Sequence, residues 1–164
     1  MLAELPASAA GREVIIQKPH RNGYDHAVRT AGVTLLEVGQ AGRVSPEQIE
    51  AAIHADTVAI LFVFGETIDR RGEVSLKDIV DIGKRRGVPI ILDASVANYP
   101  FDRLQEFAAL GIDLITTSGG KHIFGPPGTG FLFGRQDLMD VCRLMANPIH
   151  GIGRPLKIGK EEIV

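Results

Sequence analysis

Two side chains in this sequence have a type and a position that suit covalent chemistry on a carbonyl compound. Lys121 follows Thr-Thr-Ser-Gly-Gly, and a lysine amine that is partly removed from water can attack a carbonyl carbon and form a Schiff base. Asp93 ends the apolar run Val-Pro-Ile-Ile-Leu, where a carboxylate needs a cationic or hydrogen-bonding partner. Plainer interpretations stay open at this point: Asp93 can cap the next turn, and Lys121 can pack its stem while its ammonium reaches solvent.

His20 and a glycine-rich run are the other features that suit ligand binding. His20 follows the apolar segment Glu13–Gln17, where an imidazole can stack on a planar ligand or take an ordinary place in a loop. Residues 125–130, Gly-Pro-Pro-Gly-Thr-Gly, look like the start of a nucleotide-binding P-loop. That motif needs a lysine and a hydroxyl after its last glycine, and here Phe131 and Leu132 follow. We therefore exclude nucleotide hydrolysis and predict a tight turn into a strand.

The segments that must position these residues alternate between short apolar runs and longer amphipathic ones. The short runs are Glu13–Gln17, Val33–Val38, Val58–Phe64, Val88–Leu92, Leu114–Thr117 and Gly130–Phe133. Several are apolar at every position, which is typical of strands buried on both faces of a parallel sheet. The pattern predicts an α/β fold, a mostly parallel sheet with helices on both faces and right-handed crossovers.

Start and stop signals mark the predicted helices. Ser45 precedes Pro46, as expected for an N-cap followed by proline at the first helical position. Ser75 and Asp78 resemble a capping box, and basic residues end that helix before Gly87. Ligands of open α/β sheets bind beyond the carboxyl ends of the strands, which is where the candidate residues lie. The other histidines and the single cysteine have no spacing typical of a metal site, and we predict none.

Length, composition and charge narrow the class of protein. The chain has 164 residues, a formal net charge of −2 and 23% charged residues, which is ordinary for one soluble globular domain. One cysteine cannot form an internal disulfide, so the reducing cytoplasm is the expected compartment. The near-neutral charge argues against nucleic acid as a partner, and no apolar stretch is long enough to predict a membrane span. Both ends are abrupt, and we expect the chain to be part of a longer protein.

Two motifs carry a resemblance to a known family. Ile-Leu-Asp-Ala-Ser at 91–95 and Ser-Gly-Gly-Lys-His-Ile-Phe-Gly-Pro-Pro-Gly-Thr-Gly-Phe-Leu-Phe-Gly-Arg at 118–135 resemble the cofactor core of fold-type I pyridoxal-phosphate enzymes. The sequence most resembles the selenocysteine synthase-like group, which includes L-seryl-tRNA(Sec) selenium transferase and D-glucosaminate-6-phosphate ammonia-lyase. The resemblance implies that residues 1–164 form a partial pyridoxal-phosphate-binding large domain. The family's main phosphate loop and its small C-terminal domain match no part of this sequence.

The resemblance also implies roles for individual residues. Lys121 matches the lysine that forms an aldimine with pyridoxal 5'-phosphate and later acts as a base or acid at the substrate carbon. Asp93 matches the carboxylate that pairs with the pyridine nitrogen, so that the ring can accept electrons. His20 matches the residue that stacks on the ring. Ser118 matches a hydroxyl that contacts the phosphate, and Ser95 lies near the cofactor because it is close to Asp93.

The resemblance extends to the substrate side, with two differences. Arg154 and Lys157 resemble a basic pair that faces an anionic group of the substrate or cofactor. Gly120 stands where selenocysteine synthase has an aspartate, and Gly151 stands where it has an arginine. Both differences favour an amino-acid or sugar-acid lyase over selenium transfer. The implied protein is a pyridoxal-phosphate-dependent lyase or transferase with a small-molecule amine substrate, and the family implies a homo-oligomer with shared active sites.

Two other hypotheses stay open at this point. The chain can be a non-catalytic truncated remnant, or a structural partner of a related enzyme, because the phosphate loop and the small domain are missing. It can also be an enzyme whose lysine forms a Schiff base without a cofactor. That last hypothesis leaves Asp93 and His20 without roles.

Overall fold

A six-stranded sheet is the centre of the computed structural model, which describes residues 5–40, 42–65 and 72–162. The strands are β1 (Glu13–Gln17), β2 (Thr34–Val38), β3 (Thr57–Val63), β4 (Ile90–Asp93), β5 (Leu114–Ser118) and β6 (Gly130–Gly134). Their order across the sheet is β2-β1-β3-β4-β5-β6. The first five strands are parallel and β6 is antiparallel to β5. The predicted mostly parallel α/β sheet is therefore confirmed.

Apolar side chains on the central strands divide between two cores, one on each face of the sheet. In β3, Ile60 and Phe62 belong to the larger core, whereas Ala59, Leu61 and Val63 belong to the smaller one. Successive side chains of a strand point to opposite faces, so a strand that is covered on both sides must be apolar at every position. This requirement explains the continuous apolar runs in the sequence.

The helices cover the two faces unequally. They are α1 (His26–Thr30), α2 (Pro46–Ala52), α3 (Leu76–Arg86), α4 (Asp102–Ala109) and α5 (Gln136–Met145). Helices α2, α3 and α4 contribute buried residues to the larger core, and α1 packs Val28 against the smaller one. Helices thus lie on both faces, as predicted. In the part of the chain that the structure describes, no helix has the length and apolar character needed to cross a membrane.

The helix ends follow the sequence signals closely. The Ser45 hydroxyl accepts the backbone N–H of Gln48, and the Gln48 side chain accepts the backbone N–H of Ser45, which makes a reciprocal capping box. At α3 the Ser75 hydroxyl accepts the backbone N–H of Asp78 at 3.2 Å. The hydroxyl also donates to the Asp78 carboxylate at 2.7 Å. Aspartate is shorter than the glutamate of an ordinary capping box, and here it bonds the Ser75 hydroxyl and not the Ser75 backbone.

Strand β6 is the most exposed of the six strands, and it lies at the edge of the sheet opposite the other edge strand, β2. Phe131 and Leu132 keep 58% and 42% of their surface accessible. Their sequence resembles that of a buried strand. An apolar run shows that a strand favours burial, but it does not show whether other elements cover the strand. The following helix α5 has no buried residue within the described part of the chain.

Candidate active site

The candidate residues on the central strands meet at one edge of the sheet. Asp93 is the last residue of β4 and pairs in register with Thr116 of β5. Strand β5 ends two residues later at Ser118, and Lys121 lies in the loop that follows. His20 ends a 3-10 turn that begins directly after β1. Because β1, β4 and β5 are parallel, their carboxyl ends bring these residues to the same edge.

The carboxylate of Asp93 is held in a fixed orientation. Its Oδ1 accepts two hydrogen bonds from Ser95, one from the backbone N–H at 2.9 Å and one from the hydroxyl at 2.5 Å. The backbone on both sides is also tied to neighbouring strands, since Phe64 N–H donates to the Asp93 carbonyl and Ala94 N–H donates to that of Thr116. Among the described residues, Oδ2 has no hydrogen-bond partner. The carboxylate therefore keeps one oriented acceptor for a ligand.

The loop that carries Lys121 is tightly closed by glycines. The N–H of Gly119 donates to the carbonyl of Thr129 at 2.8 Å, and the N–H of Gly125 donates to the carbonyl of Gly119 at 2.8 Å. A Cβ on Gly119 would lie 2.2 Å from the Thr129 hydroxyl oxygen. The Thr129 N–H bonds the carbonyl of Pro126 at 3.0 Å, which closes the predicted tight turn just before β6. Gly119 therefore leaves room for the Thr129 side chain beside the backbone bond between the two residues.

A buried asparagine ties the lysine loop to the segment that follows β4. Asn98 is fully buried, and its amide nitrogen donates to the carbonyl of Ser118 at 2.9 Å. Its amide oxygen lies 3.1 Å from Nδ1 of His122, the residue next to Lys121. One side chain thus bonds the backbone before the lysine and the imidazole of the residue after it. Nothing in the sequence marked Asn98, because its partners lie 20 and 24 residues away.

An exposed tyrosine reaches the lysine from the end of β1. The Lys121 ammonium lies over the ring of Tyr24, which is 79% exposed. The Asn22 side chain accepts the Tyr24 N–H at 2.7 Å, and Asp25 completes a capping box with Asn22. Asp25 is buried and paired with Arg21, and this hydrogen bond raises the pKa of the Arg21 guanidinium. A well-bonded turn therefore presents the aromatic ring to the lysine.

His20 lies at the predicted edge, with its ring enclosed by protein. The side chain is fully buried, and Nε2 lies 2.6 Å from the Glu73 carboxylate. The ring is edge-on to Phe62, with the two ring centres 4.5 Å apart. Contact between this ring and a planar ligand stays a prediction, and such contact requires the covering side chains to move aside. Glu73 was not marked by the sequence, because it is 53 residues away from His20.

Two hydroxyl residues end β5 beside the lysine loop. Ser118 is half-buried and pairs in register with Gly130. Thr117 is buried, and its hydroxyl is the one buried side-chain polar atom without a hydrogen-bond partner among the described residues. The predicted phosphate contact of Ser118 is not tested by these contacts. Buried hydroxyls are normally bonded, so Thr117 is a second group at this strand end with spare bonding capacity.

The basic pair lies on the C-terminal segment. Arg154 begins a 3-10 turn and donates to the carbonyl of Pro148 at 2.5 Å, and Lys157 is exposed. No contact among the described residues joins either side chain to Lys121. The segment does reach the lysine loop, because a Cβ on Gly128 would lie 2.7 Å from the Glu162 carboxylate. Substrate binding by Arg154 and Lys157 remains a prediction.

The site as a whole offers an amine, an oriented carboxylate and hydroxyls, with an aromatic ring at its rim. An amine and a carboxylate at adjacent strand ends suit a carbonyl compound that also carries a hydrogen-bond donor or a positive charge. In the described ranges, no group of three His, Cys, Asp or Glu side chains is arranged to hold a metal ion.

Known proteins resemble this chain across nearly its whole length. A 5'-C-glycyluridine monooxygenase-decarboxylase from Streptomyces is 34% identical over 159 residues, covering 93% of this chain and 38% of the relative. A solved structure of D-glucosaminate-6-phosphate ammonia-lyase superposes with a TM-score of 0.83 at 30% identity, covering 96% of this chain and 44% of that one. An aspartate aminotransferase variant from Thermus thermophilus shares the fold, with a TM-score of 0.61 and 18% identity over 80% of this chain and 37% of that one.

These matches cover most of this chain but only part of each relative. The chain spans about two-fifths of the length of the relatives it matches. The model of the family described as L-seryl-tRNA selenium transferase matches residues 5–163, which include every candidate site residue. The shared fold with the aminotransferase confirms the expected fold type. The chain therefore belongs to the L-seryl-tRNA selenium transferase family.

Proposed function

We propose that the protein is a pyridoxal-phosphate-dependent lyase or transferase that acts on an amino acid or an amino-sugar acid. The observation that carries this proposal is the placement of Asp93 and the Lys121 loop on adjacent parallel strands, with Asp93 oriented by Ser95. The donor set fits the cofactor: an amine for its aldehyde, a carboxylate for its ring nitrogen and hydroxyls for its phosphate. Family membership and the structural match to the ammonia-lyase support the same proposal.

Asp93 is the residue that would interact with the ring nitrogen of the cofactor. Oδ1 accepts two hydrogen bonds from Ser95, so Oδ2 would be the atom that accepts a hydrogen bond from the protonated nitrogen of the cofactor ring. When it is bound, pyridoxal phosphate withdraws electrons from the substrate carbon that carries the amino group. A carboxylate beside the ring nitrogen keeps that nitrogen protonated, because the opposite charge favours the charged form. Replacing Asp93 by a neutral amide removes this effect and keeps the hydrogen bond.

Lys121 supplies the amine and then moves a proton. Lys121 would hold the cofactor through Nζ, and its amine, once free, would accept or donate a proton at the substrate carbon. Gly119 and the closed turn before β6 hold the backbone of the loop, which limits where Nζ can lie. His20 would lie against the cofactor ring, and Ser118 would contact the phosphate.

Residues of the C-terminal segment would bind the substrate. Arg154 and Lys157 would bind an acidic group of the substrate, and two positive charges suit a carboxylate or phosphate. The matched ammonia-lyase is named for a substrate that has both groups, which supports this class. A cytoplasmic homo-oligomer with shared active sites is part of the same proposal.

Reductive trapping tests the proposal directly. The protein is incubated with about one equivalent of pyridoxal phosphate, reduced with borohydride and mapped by mass spectrometry. We expect one cofactor on the peptide that contains Lys121, and none there in Lys121→Ala. The exposed helix residue Lys77, which pairs with Asp81, provides a matched control, because Lys77→Ala should trap the cofactor as the wild type does. A wild type that traps none, or traps it on scattered lysines, would remove the proposed function.

A further inference from the structure

The strongest unexplained feature is a buried imidazole that is bonded at both nitrogens. His20 is fully buried, and its Nδ1 lies 3.3 Å from the backbone nitrogen of Val63. Its Nε2 lies 2.6 Å from an oxygen of Glu73, a side chain that is itself only 15% exposed. The Phe62 ring meets the imidazole edge-on at 79° and fixes its plane. The place of His20 after β1 predicts contact with a ligand, and no sequence pattern marks Glu73.

These contacts determine where the imidazole proton sits. A backbone N–H can only donate, so Nδ1 must accept from Val63 and therefore carries a lone pair. The single ring proton of a neutral imidazole is then on Nε2, which donates it to Glu73. A second proton on Nδ1 would place two N–H groups against each other and break the bond to Val63. The geometry thus favours a neutral ring with its proton on Nε2.

The bonded ring is tied to the strand position next to the candidate carboxylate. Val63 pairs in register with Asp93, so the amide that bonds His20 belongs to the residue beside Asp93 in the sheet. A neutral ring is chemically useful here. An imidazolium at this place would compete with a protonated ligand nitrogen for the charge of Asp93, whereas a neutral imidazole leaves that charge for the ligand.

We infer that Glu73 is a positioning residue, which holds His20 as the neutral Nε2–H tautomer beside the strand of Asp93. Glu73 acts through His20 and does not itself touch the ligand. The inference rests on the proposed function in one respect, because the group that His20 meets is taken to be pyridoxal phosphate. The tautomer itself follows from protein contacts alone and can be measured without a cofactor.

Imidazole nitrogen NMR tests the tautomer in the protein without added cofactor. Histidine is labelled with ¹⁵N, and His20→Gln identifies the signals of His20 among the five histidines. We expect a protonated Nε2 and an unprotonated Nδ1 in the wild type. Glu73→Gln keeps an acceptor oxygen and should preserve that pattern, whereas Glu73→Ala should expose the Nε2 proton to rapid exchange with water. A proton on Nδ1, or a doubly protonated ring at neutral pH, would overturn the inference.

Cofactor affinity tests the positioning role. Losing a hydrogen bond to a charged group should raise the dissociation constant of pyridoxal phosphate about 10- to 100-fold in Glu73→Ala, with Glu73→Gln close to the wild type. Glu106→Ala, on the exposed surface of α4, is the control and should bind normally. Equal affinity in Glu73→Ala and wild type would contradict the positioning role. A wild type that binds no cofactor would instead contradict the proposed function, while the NMR result still decides the tautomer.

Discussion

The ammonium nitrogen of Lys121 lies 5.9 Å from the centre of the Tyr24 ring, at the distance of a cation–π contact. The lysine comes from the loop after β5 and the tyrosine from the turn after β1. Asn22 and Asp25 hold that turn with reciprocal hydrogen bonds, so the ring is presented in a fixed place while it remains exposed. Tyr24 therefore restrains a lysine that is otherwise free to sample solvent.

Removing the Tyr24 ring should loosen the lysine and weaken cofactor binding. An exposed cation–π contact contributes about 0.5–1 kcal/mol, which corresponds to a two- to five-fold rise in the dissociation constant for Tyr24→Ala. Tyr24→Phe keeps the aromatic face and should bind as the wild type does. Equilibrium titration with pyridoxal phosphate measures both variants. Equal loss in the two variants would assign the effect to the phenol hydroxyl, and no loss in Tyr24→Ala would show that the contact is without consequence.

Asn98 should be important for both folding and the site. Asn98→Ala leaves the Ser118 carbonyl without its buried donor, which should lower the free energy of unfolding by about 1–3 kcal/mol. The lysine loop should also become mobile, so cofactor affinity should fall together with stability. Urea unfolding and cofactor titration measure the two effects. Gln105→Ala on the exposed face of α4 should change neither, and an Asn98→Ala protein as stable as the wild type would contradict the bridging role.

The fold could be predicted from the sequence because its central strands are buried on both faces. The central strands contain fully buried residues such as Ile15, Ile60 and Leu92. A strand that is apolar at every position is stable only where both of its faces are covered. The exposure of β6 could not be predicted in the same way. Its apolar run is similar, and only its place at the edge of the sheet shows that little covers it.

The candidate site could be predicted from the sequence only where its chemistry is local. Asp93 and Lys121 were marked by their place at the ends of apolar runs, which is a feature of a few neighbouring residues. Glu73 and Asn98 bond residues that are far away in the chain. No local sequence pattern around a single glutamate or asparagine predicts such a contact. The burial of His20 was missed for the same reason, because the residues that enclose it come from other segments.

An aspartate at Gly120, the residue that the family resemblance implies for selenocysteine synthase, should damage this loop. A Cβ at Gly120 would lie 2.7 Å from the Cα of Pro127, which is backbone and cannot rotate away. Gly120→Asp and Gly120→Ala should therefore each lower the free energy of unfolding by about 1–3 kcal/mol. Gly23→Ala is the matched control, because a Cβ there meets nothing within 4 Å. Thermal unfolding measures all three, and a Gly120→Ala protein of unchanged stability would show that the turn before β6 can shift at little cost.

The single thiol should react slowly in the folded protein. Partial burial raises the pKa of Cys142 above its ordinary value, because the thiolate loses solvation. Only the thiolate attacks a disulfide reagent, so at neutral pH the folded protein should react several-fold more slowly than the urea-unfolded chain. A raised pKa means that the folded state holds this proton more tightly, so the associated stability is present below the ordinary thiol pKa and is lost as the pH rises through the folded value. Ellman's reagent followed across this pH range measures the effect, and equal rates in the folded and unfolded chains would contradict it.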